Sequence, residues 1–265
     1  MSFSDWKTMD SVITVPALGD NFIYLYRHNE TGSFVVDPSE SSQVLRILKD
    51  SGLSLNTILI THHHYDHTAG AVELKQKTGC KIIGGDRHRI RGIDRVVEDG
   101  EVLTFGDARV QVIATPGHTS TGLCYYMPPS GQGKNGVLWT GDTLFVGGCG
   151  RLMECDAEVM WESLQRLASL PDDTLVYCGH DYTLENYEFA LTVEPDNQVV
   201  GQRLNEIRHA QTLGRQTVPS TMQQERTTNP FLRADTPEMR TALKMPQSRA
   251  VDVFAELRRR KDVFG

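Results

Sequence analysis

NTILITHHHYDH, residues 56–67, joins an apolar run to a dense group of side chains that can bind metal. Five such side chains lie within six residues: His62, His63, His64, Asp66 and His67. Alternate side chains of a strand point to the same face. A strand end that turns into a helix can therefore direct His62 and His64 one way, and Asp66 and His67 another. The stretch predicts the walls of a site for two metal ions.

Three further candidates follow strand-like runs later in the chain. His118 lies in TPGHT, Asp142 in TGD and His180 in CGH, and a glycine precedes each of them. Glycine permits tight turns, and ligands on rigid strand ends suit a preorganised metal site. Imidazole and carboxylate ligands suit zinc, and also iron or manganese. We therefore expect two divalent ions per chain, zinc with iron or manganese as alternatives.

The rest of the chain alternates between strand and helix patterns up to about residue 190 and is mostly helical afterwards. Strands followed by a helix occur twice, at 11–80 and 101–190, which suits two sheets packed face to face with outer helices. We expect a β-rich domain at 1–190 and a small helical domain at 191–265. The stretch 218–235, which carries proline and threonine, is predicted to be a loop.

The individual elements follow from apolar periodicity and from the turn residues between runs. The predicted strands are 11–18, 21–28, 32–38, 56–62, 80–85, 110–118, 122–128, 136–142 and 174–180. The predicted helices are 44–52, 69–79, 157–170, 184–193, 198–214 and 248–264.

Composition narrows the class of protein. The 265 residues carry a net charge of −7, which disfavours nucleic-acid binding. No run approaches the ~20 apolar residues of a membrane span, and residues 1–10 lack the apolar core of a secretion signal. The five cysteines therefore suggest reduced thiols. We expect a cytoplasmic monomer that binds a small molecule rather than nucleic acid or a membrane.

The pattern His-x-His-x-Asp-His, with the later histidines and aspartate, resembles the metallo-β-lactamase superfamily. Further segments resemble the glyoxalase II family, the hydroxyacylglutathione hydrolases. They are TGDTLF (140–145), GCGR (148–151), YCGHDYT (177–183), VEPDN (193–197), NPFLR (229–233) and RRRKD (258–262). The resemblance covers essentially the whole chain, and it implies that residues 1–190 form the catalytic domain and residues 191–265 the substrate-binding domain. It implies an α+β fold, an αββα metallo-β-lactamase sandwich with a small all-helical C-terminal domain.

The resemblance also divides the ligands between two ions. It implies one ion held by His62, His64 and His118, and a second held by Asp66, His67 and His180. Asp142 would bridge the two ions, whereas His63 and Tyr65 would not be ligands.

For the thiol portion of the substrate, the resemblance implies contacts from Arg151, Tyr182, Arg258 and Lys261. Met153 stands where some family members have tyrosine. The implied reaction hydrolyses S-(2-hydroxyacyl)glutathione, chiefly S-D-lactoylglutathione, to glutathione and D-lactate. It is the second step of methylglyoxal detoxification. A metal-bridging hydroxide would attack the thioester, with Asp142 and Asp66 as the catalytic carboxylates.

Two other functions fit the same metal motif. A mononuclear-iron glutathione persulfide dioxygenase of the same fold would need a single metal, so the complete second ligand set argues against it. A nuclease could also use two metals, but the acidic charge disfavours it. Oxygen uptake and phosphodiester cleavage would distinguish these alternatives from a thioesterase.

Overall fold

The computed structural model describes residues 12–129 and 135–264, which form two compact units, Met1–Ile113 and Ala114–Gly265. The described residues do not include Ser11, the first residue of the predicted strand 11–18. They also do not include residues 1–10, in which we expect no secretion signal. The division of the chain near residue 190 into a catalytic and a substrate-binding domain stays a prediction.

The described part of unit 1, from residue 12 onward, forms eight strands and three helices. The strands are β1 (Val12–Ala17), β2 (Asn21–Arg27), β3 (Gly32–Val36), β4 (Ser54–Leu59), β5 (Lys81–Gly84), β6 (Arg95–Val96), β7 (Val102–Phe105) and β8 (Ala108–Ala114). The helices are α1 (Ser42–Ser51), α2 (Tyr65–Thr68) and α3 (Ala71–Thr78).

Unit 2 holds the remaining elements and is richer in helix. The strands are β9 (Leu123–Met127), β10 (Val137–Gly141), β11 (Leu144–Phe145), β12 (Gly148–Cys149), β13 (Leu175–Cys178) and β14 (Ser220–Thr221). The helices are α4 (Ala157–Ala168), α5 (Thr183–Val193), α6 (Gln198–Thr212), α7 (Met222–Thr228), α8 (Pro237–Ala242) and α9 (Ala250–Asp262).

The main sheet of unit 1 follows the order β1-β2-β3-β4-β5-β6. Its first three strands are antiparallel, and the pairs from β3 to β6 are parallel. Ile58 pairs with Val35 on one side and with Ile82 on the other, and all three are fully buried. Leu48 of α1 and Leu74 of α3 belong to the same apolar core. The core thus fixes β4, whose end leads into the histidines.

In unit 2 the strands follow the order β14-β13-β10-β9. Every residue of β10 is buried, as expected for a central strand covered on both faces. β10 and β13 are parallel, and Gly141 pairs with Cys178. The carboxyl ends of parallel neighbours lie at the same edge of a sheet, so Asp142 and His180 emerge close together.

All the longer elements predicted from periodicity are present, and helices α1 and α3 end at left-handed glycines, Gly52 and Gly79, as predicted. The loop prediction for 218–235 is wrong, because this stretch contains β14 and α7. Thr221 and Gln224 form a reciprocal capping box at the start of α7. That Thr-x-x-Gln spacing was the available signal.

Candidate metal centre

The histidine motif, Thr61–His67, follows β4 directly. Ile60 still donates to the carbonyl of Ile83 of the neighbouring strand at 2.8 Å, so the chain leaves the sheet only at Thr61. His62 Nε2 lies 3.1 Å from His64 Nδ1, and His67 Nε2 lies 3.5 Å from Asp66 Oδ2. The motif thus brings its ring nitrogens and its carboxylate together where β4 ends and α2 begins.

Two residues that sequence reasoning missed hold this motif in place. The carboxylate of Asp37 accepts from the Thr61 amide at 2.8 Å and from its hydroxyl at 2.5 Å, and lies 3.0 Å from His67 Nδ1. Asn21 Nδ2 donates to the backbone oxygen and to Oδ2 of Asp66, at 3.1 and 3.2 Å. Each comes from another strand end, so proximity along the chain gave no indication. The signal for Asp37 was a carboxylate directly after the apolar run of β3.

The Asp142 cluster consists of His118, Asp142 and His180 in unit 2. The Nε2 atoms of the two histidines lie 3.5 and 3.4 Å from the same oxygen, Oδ2 of Asp142. All three side chains are at least nine-tenths buried. The structure therefore brings together the three predicted ligands of this unit, although they are far apart in the sequence.

A backbone carbonyl fixes the orientation of His118. Its Nδ1 lies 2.9 Å from the carbonyl oxygen of Arg151, which can only accept, so Nδ1 carries the hydrogen. The lone pair is then on Nε2, which faces Asp142. Histidines that bind metals usually donate a hydrogen bond from their other ring nitrogen in this way.

The residues of both clusters suit divalent metals. Asp37, His62 and His67 offer ligand atoms within 4.8 Å of one another. In the other cluster, two ring nitrogens converge on one carboxylate oxygen. Nitrogen and oxygen ligands held this closely are appropriate for zinc, iron or manganese.

Comparison with known proteins identifies the family. A model of the metallo-β-lactamase superfamily matches residues 17–180, and a model of the hydroxyacylglutathione hydrolase C-terminus matches residues 181–264. Hydroxyacylglutathione hydrolase from Methylococcus capsulatus is 44% identical over 97% of this chain and 99% of its own length. The chain belongs to the hydroxyacylglutathione hydrolase family. The protein of the same name from Rhodospirillum rubrum is 46% identical over 97% of this chain and 100% of its own.

Among solved structures, ETHE1 from Myxococcus xanthus has a TM-score of 0.66 at 23% identity, covering 94% of this chain and 90% of its own. At this identity the likeness concerns the fold alone. The predicted family, the metallo-β-lactamase fold with a helical C-terminal region, and the hydrolase class are confirmed by these matches. No helix of the described residues is both long and apolar enough to cross a membrane.

The four residues that family resemblance assigns to glutathione all lie in unit 2. Arg151 is exposed, and the ring of Tyr182 stacks on His180 with centroids 5.0 Å apart. Arg258 is buried and donates from Nη1 to the carbonyl of Cys149 at 2.8 Å. Lys261 is also buried and forms an ion pair with Glu185. Tyr182 thus lies directly beside His180, a predicted metal ligand. The two cations of α9, Arg258 and Lys261, already have protein partners.

His63 and Tyr65 are the two motif residues not assigned to a metal. His63 Nε2 is 3.4 Å from Arg89 Nη1, and Tyr65 is 80% exposed. Met153, at a position where some family members have tyrosine, is 62% exposed.

The cysteines next to the Asp142 cluster are poor nucleophiles. Burial raises the pKa of Cys149 to about 11 and that of Cys178 to about 12. Both are therefore neutral thiols at physiological pH, and the thiolate is the reactive form. All five cysteines are free. Neither Cys149 nor Cys178 is therefore suited to act as a nucleophile.

Proposed function

We propose that this protein hydrolyses the thioester of S-(2-hydroxyacyl)glutathione, chiefly S-D-lactoylglutathione, to glutathione and D-lactate. The observation that carries the proposal is the 44–46% identity, over nearly the full length, to two hydroxyacylglutathione hydrolases. We further propose that this reaction completes methylglyoxal detoxification in the cytoplasm and that the protein acts as a monomer.

We propose that two divalent ions are bound, with zinc first and iron or manganese as alternatives. His62, His64 and His118 would hold one ion, and Asp66, His67 and His180 the other, with Asp142 between them. The close approach of ligand atoms within each cluster supports this assignment. The single superfamily match from residue 17 to residue 180, which includes all seven, supports their joint use.

When bound, such ions supply a nucleophile, because they lower the pKa of a water ligand to about 7. The carboxylates of Asp142 and Asp66 would accept a proton and orient the water. His118 keeps its Nε2 lone pair available because its Nδ1 donates to Arg151. His67 is held through Nδ1 by Asp37 in the same manner.

The leaving group needs little help from an acid, since an ordinary thiol has a pKa of ~8.5. The chain's remaining task is to hold the tripeptide, which carries two carboxylates. Arg258 and Lys261 would bind them as charged donors, Arg151 would add a third cation, and Tyr182 would pack beside the sulfur end. Lys261 would exchange its present partner, Glu185, for the substrate.

The test is to supply metal-quantified protein with S-D-lactoylglutathione and to follow loss of the thioester absorbance. We expect rapid hydrolysis and no oxygen uptake with glutathione persulfide. Oxygen uptake without hydrolysis would replace the proposal with a persulfide dioxygenase. Cleavage of neither substrate would leave the family assignment intact and overturn the substrate.

A further inference from the structure

We propose that Glu225 is a positioning residue for the Asp142 cluster, acting through the turn between β11 and β12. It lies on α7, in the stretch that the sequence predicted to be a loop. No family motif noted above includes it. The proposal concerns the proposed hydrolase, but its main test measures metal binding and does not need turnover.

Glu225 is fully buried and holds the turn through its carboxylate. Oε2 accepts from the amide of Gly147 and from Asn229 Nδ2, both at 2.9 Å. The same Asn229 Nδ2 donates to the carbonyl of Gly148 at 2.9 Å and lies 3.3 Å from that of Phe145. The Glu225 carboxylate thus accepts from a backbone amide of the turn. It also orients the side-chain amide of Asn229, which donates to the two carbonyls.

A third polar side chain holds the turn from α5. Asn186 Nδ2 donates to the carbonyl of Val146 at 3.1 Å. The packing is equally close: a Cβ on Gly147 would lie 2.6 Å from the ring of Tyr187, and one on Gly148 would lie 2.5 Å from Asn186. Gly147 also has a left-handed φ of +70°. The turn is therefore packed closely against α5, with no room for a larger residue at Gly147 or Gly148.

The far side of this turn determines where two of the predicted ligands lie. The Gly150 amide donates to the carbonyl of Thr143 at 3.3 Å, and a Cβ on Gly150 would overlap the backbone oxygen of Asp142. One residue later, the carbonyl of Arg151 accepts from His118 Nδ1. Displacing the turn would therefore shift both Asp142 and His118.

Two substitutions of Glu225 separate the role of its oxygen from the role of its charge. Burial raises the pKa of this carboxyl, while hydrogen bonds from Ser220, Asn229 and Gly147 and the positive charge of Arg203 act in the opposite direction. A glutamine could present one oxygen to the same two donors. An alanine would leave the Gly147 amide and Asn229 without their acceptor in the interior, which is costly.

The experiment compares Glu225→Ala, Glu225→Gln and a matched control, Tyr187→Phe. The control removes a buried hydrogen bond between α5 and α7, from the Tyr187 hydroxyl to Thr228 at 2.7 Å, but keeps the ring against the turn. Each variant is loaded with Co²⁺, and its visible absorption and the affinity for the ion are measured. With S-D-lactoylglutathione, kcat and KM are then determined separately.

We expect Glu225→Ala to change the Co²⁺ spectrum and to lower metal affinity and kcat by about 10–100-fold, the usual effect of losing an outer-shell partner. KM should stay within about twofold. Glu225→Gln and Tyr187→Phe should keep the wild-type spectrum. If Glu225→Ala does not fold, Asn186→Ser should change the same spectrum in the same direction by less.

The proposal is overturned if folded Glu225→Ala, or Asn186→Ser in its place, keeps the wild-type spectrum and affinity. It is also overturned if Tyr187→Phe alters the spectrum as much, since the effect would then be general softening of the region. A glutamine variant as damaged as the alanine variant would contradict the role given to the oxygen. Wild-type protein that binds Co²⁺ but does not turn over the thioester would instead contradict the proposed function alone.

Discussion

The histidine motif of unit 1 and the Asp142 cluster of unit 2 present similar ligands on very different supports. In the motif, His62, His64, Asp66 and His67 come from one strand end and the short helix after it. In the Asp142 cluster, each ligand follows a different strand, and the orientation of His118 depends on a carbonyl beyond the β11–β12 turn. Local chain geometry places the first set, whereas tertiary contacts place the second. We therefore expect substitutions behind the β11–β12 turn to disturb the Asp142 cluster, whereas the histidine motif should depend on its own chain and on the few side chains that contact it directly.

Removing the carboxylate at the centre of the Asp142 cluster should have the largest effect. Asp142→Ala should lose bound metal and lower kcat/KM by more than about 100-fold, beyond the usual cost of an outer-shell partner. Metal analysis and thioester hydrolysis would measure both losses. Asp156→Ala is the control, because it removes only the N-cap of α4 and should cost ~1 kcal/mol of stability with activity retained. An Asp142→Ala enzyme with full metal content and normal turnover would contradict the assigned role.

The histidine motif should depend on Asp37, which contacts it from the end of another strand. Asp37→Ala removes the acceptor of Thr61 and the partner of His67, so metal affinity and kcat/KM should fall by about 10–100-fold. Asp94→Ala is the control in the same unit, since Asp94 pairs with Lys75 and holds the Ile82 amide instead. Equal losses in both variants would point to general destabilisation of unit 1.

A substrate contact should separate binding from chemistry. Lys261→Ala should raise KM about tenfold, the value of one charged hydrogen bond of ~1.5 kcal/mol, with kcat changed by less than about twofold. Arg259 lies on the same helix but is exposed and pairs with Glu256, so Arg259→Ala should leave KM unchanged. A fall in kcat at constant KM would give Lys261 a role in holding the metal centre instead.

The smallest effect should come from substituting a cysteine near the Asp142 cluster. Cys155 alone among the five cysteines, all of which lie in described parts of the chain, is not buried. The high pKa values of Cys149 and Cys178 keep them protonated even at pH 9. Native protein at pH 8 to 9 should therefore react with a disulfide reagent at one thiol, and Cys155→Ser should abolish that reaction without changing kcat. Rapid labelling of Cys149 would show that the β11–β12 turn opens.

The sequence showed the histidine motif as a group because its candidate ligands are contiguous and follow an unbroken apolar run. Asp142 and His180 were candidates because each follows an apolar run, and the fold places them at the ends of two parallel strands. Their role as metal ligands stays a prediction. The sequence did not reveal Asp37 or Asn21, because nothing in a single sequence states which strand lies beside β4. Nor did it reveal Glu225, since proline and threonine concealed the capping box of Thr221 and Gln224. Supports that act through tertiary contacts are visible only in the fold.

We propose that the histidine motif and the Asp142 cluster act together as one two-metal hydrolytic site. The most direct measurement is to remove the metal, add zinc back in steps, and follow both bound zinc and S-D-lactoylglutathione hydrolysis at each step. We expect turnover to reach its maximum at two ions per chain, and Asp142→Ala to fall short of it at any zinc concentration. Full activity with a single ion bound, or none with two bound, would contradict it.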